Sequence, residues 1–137
     1  MITLFWSKCL TYQDAKNYTK VIYLHEWFGK AFYWGKADNS FFGGTPRKRK
    51  TDGKKCSGRY NSGYKHWIEG CLKHGASLYL AEILENIEEY TLDEIEGYLI
   101  VNYGSEMNNR KNSKKNLEIQ HEGEVPETIK NNNSFPI

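Results

Sequence analysis

The stretch Val21–Gly35, VIYLHEWFGKAFYWG, decides the fold. Two short apolar and aromatic runs, Val21–Leu24 and Ala31–Trp34, flank Phe28-Gly29-Lys30. Gly29 can take the positive φ that a tight turn needs. Runs rich in Val, Ile, Tyr, Phe and Trp around such a turn predict a β-hairpin, with strands at about 20–26 and 31–35. Tyr23 and Tyr33 come late in each run, one on each side of the turn, and Gly35-Lys36 ends the second strand.

Outward from the hairpin, residues 1–20 read as a lead-in. Thr11-x-x-Asp14 predicts a short capped helix reaching Lys16–Tyr18. Residues 37–63 read as mostly loop, punctuated by Gly43, Gly44, Pro46, Gly53, Gly58 and Gly63. A loop that long in a small domain is usually functional or disordered. At its centre, PRKRKTDGKK (46–55) carries six basic residues, Arg47, Lys48, Arg49, Lys50, Lys54 and Lys55, against Asp52. Such a cluster suits phosphate, and Phe41, Phe42 and Tyr60 beside it favour a binding arm over an idle excursion.

Residues 63–74 predict a helix, because Tyr64, Trp67, Ile68, Cys71 and Leu72 share one apolar face. Ser77–Ile83 predicts a third strand. Thr91-x-x-Glu94 is a capping box opening a helix to about Tyr103, with Gly104 as its stop. The fold class expected is therefore α+β: a small, mainly antiparallel, three-stranded sheet flanked by helices. Length places residues 1–137 in one domain, a core at about 20–110 with a polar tail at 111–137.

The net charge of +2 hides an uneven distribution. Against the basic segment stands an acidic one with Glu82, Glu85, Glu88, Glu89, Asp93, Glu94 and Glu96. Three cysteines without a CxxC, and no long apolar run, point to free thiols in the cytoplasm and away from a membrane. Cys56, His66, Cys71 and His74 are zinc-type ligands, but Cys71 suits the apolar face of its helix as a small hydrophobe.

The order of the remaining chemistry-bearing residues resembles the GIY-YIG nuclease superfamily. Its first motif corresponds here to Val21-Ile22-Tyr23 and its second to Tyr33-Trp34-Gly35. Arg59 precedes the 63–74 helix, Glu96 lies in the later helix, and Glu-Met-Asn-Asn follows at 106–109. Val21 stands where the family has its first glycine, and Trp34 where it has isoleucine. The family's His or Tyr four residues after the arginine meets Gly63 here, so Tyr60, Tyr64 and His66 are the alternatives. The closest likeness is to the restriction-type branch.

The resemblance implies a metal-dependent endonuclease that hydrolyses DNA phosphodiester bonds. Tyr23 would orient or deprotonate water, with Lys36 or the ion lowering its pKa. Tyr33 would hold the water or a phosphate oxygen, and Tyr64 would fill the post-arginine position. Arg59 would stabilise the phosphorane, and Asn108 (or Asn109) would support the site. Glu96 would be the single protein ligand of Mg²⁺ or Mn²⁺, with Glu89 and Glu94 as its competitors. DNA is the implied partner, held by Arg47, Lys48, Arg49, Lys50, Lys54 and Lys55. A palindromic target would imply a homodimer. A catalytically inactive nucleic-acid-binding module and an RNA-cleaving nuclease are the alternatives.

Overall fold

The computed structural model describes residues 1–15, 18–37, 46–48, 55–57, 62–104 and 117–131, and for residues 12, 46–48, 55–57 and 62–66 the backbone alone. The predicted hairpin forms. Strand β2 (Val21–Trp27) pairs antiparallel with β3 (Lys30–Ala37) across a turn whose central residues, Phe28 and Gly29, have φ of 53° and 74°. Two consecutive positive φ values are the mark of a type I′ turn, whose twist matches that of the strands it joins.

The three-stranded sheet expected from the sequence is not what the chain builds. The sheet has five strands and is mixed, in the order β3-β2-β6-β1-β7. The two unforeseen strands are β1 (Ile2–Cys9), which replaces the expected lead-in, and β7 (Ile119–Gly123). The strand β6 (Ala76–Asn86) runs antiparallel to both β2 and β1, and β7 runs parallel to β1. Burial explains why β1 is a strand. Ile2, Leu4 and Trp6 are fully buried on one face, while Phe5 on the other is exposed. The inward set alternates at the two-residue period of a strand. An apolar residue on the outward face masks that period in the sequence.

Helices are few. The short helix α1 (Tyr12–Ala15) is a single turn, capped by Thr11 and Asp14, each accepting the other's backbone N–H through its side chain, and Tyr18, where the expected helix was to reach, is not helical. The segment read as loop contains a separate two-stranded ladder, β4 (Pro46–Lys48) against β5 (Lys55–Ser57). Two longer helices follow, α2 (Ser62–Lys73) and α3 (Leu92–Tyr103). The capping box at α3 closes as predicted: the Thr91 hydroxyl accepts from the Glu94 N–H at 3.1 Å, and the Glu94 carboxylate accepts from the Thr91 N–H at 3.1 Å. A last turn, α4 (Glu127–Lys130), ends the described chain. Among the described residues, no helix is long and apolar enough to cross a membrane.

Each face of the sheet has its own core. On one face Ile2, Leu4, Trp6, Ile22, Leu24, Trp34 and Ala81 pack against Leu92, Ile95, Leu99 and Ile100 of α3. On the other, Cys9, Val21, Tyr23, Leu78 and Leu80 pack against Ile68 of α2 and Ala15 of α1. Two indole N–H groups fasten the first core. Trp34 donates to the Gly104 carbonyl at 2.9 Å and ties β3 to the end of α3; Trp6 donates to His121 Nδ1 at 2.9 Å and ties β1 to β7.

Candidate active site

The register of the hairpin sets the geometry of the motif residues. Tyr23 lies directly across from Gly35, and His25 across from Tyr33. The two tyrosine rings stand 6.1 Å apart, between centroids, on the α2 face. The Tyr23 ring lies flat over its partner: a Cβ at position 35 would fall on Tyr23 Cζ, Cε2 and the hydroxyl oxygen. Glycine is therefore the residue that lets Tyr23 lie across β3, and β3 is an edge strand. The phenol thereby lies over the edge strand β3 and stays buried.

Tyr23 is held from its other sides. His25, two residues along the same strand, meets it edge-on at 5.8 Å and meets Tyr33 at 6.0 Å. Phe32 at 5.7 Å and Trp67 of α2 at 5.1 Å close a box of rings around His25. Phe32 and Tyr33 are chain neighbours that face the same way. A register shift between His25 and Glu26 makes Phe32 the extra residue of a β-bulge, which turns both side chains to one face. Burial holds the His25 pKa down to about 3, so the imidazole is neutral at ordinary pH. No motif singled out His25, but the two-residue period from Tyr23 marks it as a neighbour on the same face.

Lys36 pairs with Ile22, so it projects to the opposite face, the one that α3 covers. The structure thus does not put Lys36 on the Tyr23 face, where the sequence reading wanted it. Glu96 approaches from the α3 side too. It lies four residues from both Leu92 and Ile100, in the middle of the helix's apolar stripe, and is 7% exposed. It is the one ionisable group among the buried residues of α3. Its competitors are otherwise engaged: Glu94 serves the cap of α3, and Glu89 is exposed beyond the end of β6. The tyrosines thus lie on one face of the sheet, and Lys36 and Glu96 belong to the other, which α3 covers.

A second buried carboxylate escaped the sequence reading. Glu26, 3% exposed, accepts from the Thr128 N–H at 2.9 Å and from its hydroxyl at 2.8 Å. It fastens α4 to the hairpin and is committed to that task. Among the described residues, no group of three or more His, Cys, Asp or Glu could hold a metal ion together. Mg²⁺ does not require such a group: one or two protein carboxylates suffice when phosphate and water complete the shell, and Glu96 is a donor of that kind.

Arg59, Asn108, Asn109, Arg49, Lys50, Lys54 and Tyr60 lie outside the described residues, and Tyr64, His66, Arg47, Lys48 and Lys55 are described by backbone only. Arg47 pairs with Cys56 and Lys48 with Lys55 across the small ladder, so part of the basic segment is built on paired strands. Comparison with known proteins leaves this arrangement to be read on its own terms: no family model, no curated protein and no solved structure matches the chain.

Proposed function

We propose that this chain is an endonuclease of the GIY-YIG type that hydrolyses DNA phosphodiester bonds with the help of Mg²⁺ or Mn²⁺. The observation that carries the reading is the seating of Tyr23 over Gly35. The tyrosine of the first motif and the glycine of the second are cross-strand partners, and each makes sense of the other. Tyr33 beside Tyr23, and the carboxylate of Glu96 kept in an apolar stripe, support the same reading. Buried ionisable groups are costly and are found disproportionately at functional sites. The resemblance covers about residues 20–110, and β1 and β7 both lie outside that stretch.

In such a reaction a water oxygen bonds to phosphorus, the bond to the leaving sugar oxygen breaks, and negative charge grows on the phosphate oxygens. Tyr23 would hold the attacking water and, as the phenolate that nearby positive charge would favour, take its proton and become the hydroxyl. Tyr33 would fix the water or a phosphate oxygen. The guanidinium of Arg59 would meet the growing charge, a task its planar fork suits. Asn108 would supply supporting hydrogen bonds. Glu96 is the residue that would hold the ion, which when bound adds positive charge beside the phosphate. The basic segment would grip the flanking phosphates and position the duplex without reading its sequence. A palindromic target would be met by a two-fold dimer.

One observation favours a second reading, a nucleic-acid-binding module without catalysis. Tyr23 is 1% exposed, so water reaches its hydroxyl only when a neighbour moves. Incubating supercoiled plasmid, and separately RNA, with and without Mg²⁺ distinguishes the readings. Metal-dependent cutting of plasmid is expected, and it should vanish in Glu96→Gln while folding stays intact, as a thermal melt would check. Binding with no cleavage under any condition would establish the second reading. Cutting by Glu96→Gln at the wild-type rate would remove Glu96 from the site.

A further inference from the structure

The tip of the β2–β3 hairpin carries an aromatic residue that folding does not account for. Phe28 is 90% exposed and sits at φ 53° in the first central position of the turn. Asparagine, aspartate and glycine are at ease there, whereas a residue with a bulky side chain pays for the left-handed conformation. Its neighbour Trp27 carries a second cost, because its indole N–H is buried and finds no acceptor among the described residues. Costs that persist at one spot without serving the core point to a function there.

The surroundings say which function. The Phe28 ring stacks on Trp27 at 6.4 Å and 27°. Trp27 packs on Phe32 at 5.7 Å, Phe32 on His25 at 5.7 Å, and His25 on Tyr23 at 5.8 Å. One unbroken row of rings therefore links the exposed tip to the candidate water-activating tyrosine. Lys30 is exposed and pairs with Trp27 across the turn. An open aromatic face with an ammonium group beside it matches the two halves of a nucleotide, the base and its phosphate. Glu127 of α4 also stands at the turn, its stem beside Gly29.

We propose that Phe28 stacks on an unpaired base while Lys30 holds the adjoining phosphate, at a fixed distance from the cleavage point. Resting on the nuclease reading, this deepens it by adding a substrate contact. Five residues of strand separate Phe28 from Tyr23, roughly 17 Å at the rise of a β-strand. That is about five nucleotides of stacked strand, so the preferred substrate would be unpaired or easily opened at that offset from the cut.

The test uses the full chain and three variants, Phe28→Asn, Phe28→Trp and Lys30→Ser. Binding of a short fluorescein-labelled single-stranded DNA is followed by anisotropy in Ca²⁺ at fixed salt, alongside thermal melts. Phe28→Asn should melt about 3 °C higher, because asparagine suits the turn. It should also bind roughly 5- to 150-fold more weakly, the range a lost base stack commands, with its salt dependence unchanged. Phe28→Trp should keep wild-type affinity or exceed it. Lys30→Ser should flatten the salt dependence by about one phosphate's worth.

Unchanged oligonucleotide affinity in Phe28→Asn overturns the proposal, and if plasmid cutting by the wild type is present, the nuclease reading survives that result. A wild type that binds no nucleic acid overturns both. Weakened binding in Phe28→Asn with no cleavage by the wild type supports the contact and rejects the nuclease. If Phe28→Asn instead abolishes co-sedimentation of the wild type with phosphatidylglycerol vesicles and leaves DNA affinity intact, the tip is a membrane contact and the proposal fails.

Discussion

Gly35→Ala isolates the contact on which the functional reading depends. The new methyl would land on two ring atoms and the hydroxyl oxygen of Tyr23, each well inside van der Waals contact. A flexible side chain would swing away at little cost. Tyr23 cannot do so easily, because it is 1% exposed and wedged against His25 and Tyr33. Overpacking of this kind typically costs about 1–3 kcal/mol. Replacing glycine inside a strand returns roughly 0.5–1 kcal/mol of that. The net loss should be about 1–2 kcal/mol, which for a chain of this size lowers the melting temperature by roughly 3–7 °C.

A double-mutant cycle makes the attribution specific. In a Tyr23→Ala background the obstacle is gone, so Gly35→Ala should become neutral or slightly stabilising, with a coupling of about 1–3 kcal/mol. In a Tyr23→Phe background two of the three obstructing atoms remain, and most of the cost should remain with them. Plasmid cutting should collapse in Gly35→Ala, since the displaced hydroxyl no longer lies at the β3 edge. A Gly35→Ala protein that melts with the wild type and cuts at its rate would refute both the seating of Tyr23 and the role built on it.

Glu26→Gln should lower stability by about 1–2 kcal/mol, because the charge-assisted bonds to Thr128 become ordinary ones, while DNA cutting persists. Loss of cutting with unchanged stability would instead move Glu26 into the site. Acid should weaken the fold through His25 and His121, whose pKa values burial lowers to about 3 and about 4 from 6.5. The unfolded chain takes up these protons near pH 6.5 and the folded chain does not, so stability is complete above that pH. It should decline as pH falls from 6.5 toward 4, by up to ~1.4 kcal/mol per pH unit per histidine. Urea midpoints across that window check it, and a flat profile refutes it. Protonating His121 would also take away the acceptor that Trp6 uses.

What was legible in the sequence was local. The type I′ hairpin, the α3 capping box and the stop at Gly104 are all written within a few residues of one another, where backbone preference and side-chain caps act directly. The five-stranded sheet was not legible, because it depends on pairings between distant segments. β7 hides for the converse of the reason that hides β1: its inward residues are Ile119 and His121, and a histidine does not advertise a core position. The candidate site divides along the same line. Tyr23, Tyr33, Gly35 and Glu96 sit in recognisable order, and the tyrosines with Gly35 converge through one hairpin. Glu26 acquires its role only from α4, and His25 its full box of rings only with Trp67 of α2, and no short window of sequence contains either.

The placement of β1 between β6 and β7 has a consequence for how the protein is made. β1 leaves the ribosome before either of its neighbours exists: its first partner begins at Ala76 and its second at Ile119. Until β6 has been made, Ile2, Leu4, Phe5 and Trp6 therefore have no native strand beside them. A short, uncharged, β-prone run without proline is the kind of segment that pairs with other copies of itself. The hairpin can close early, but β1 can join the sheet only once β6 is made, and β7 is added at the edge last. Yield of soluble protein should thus depend on how fast translation carries the chain past β6, with slow codons between β3 and β6 lengthening the exposure and holdase chaperones shortening it.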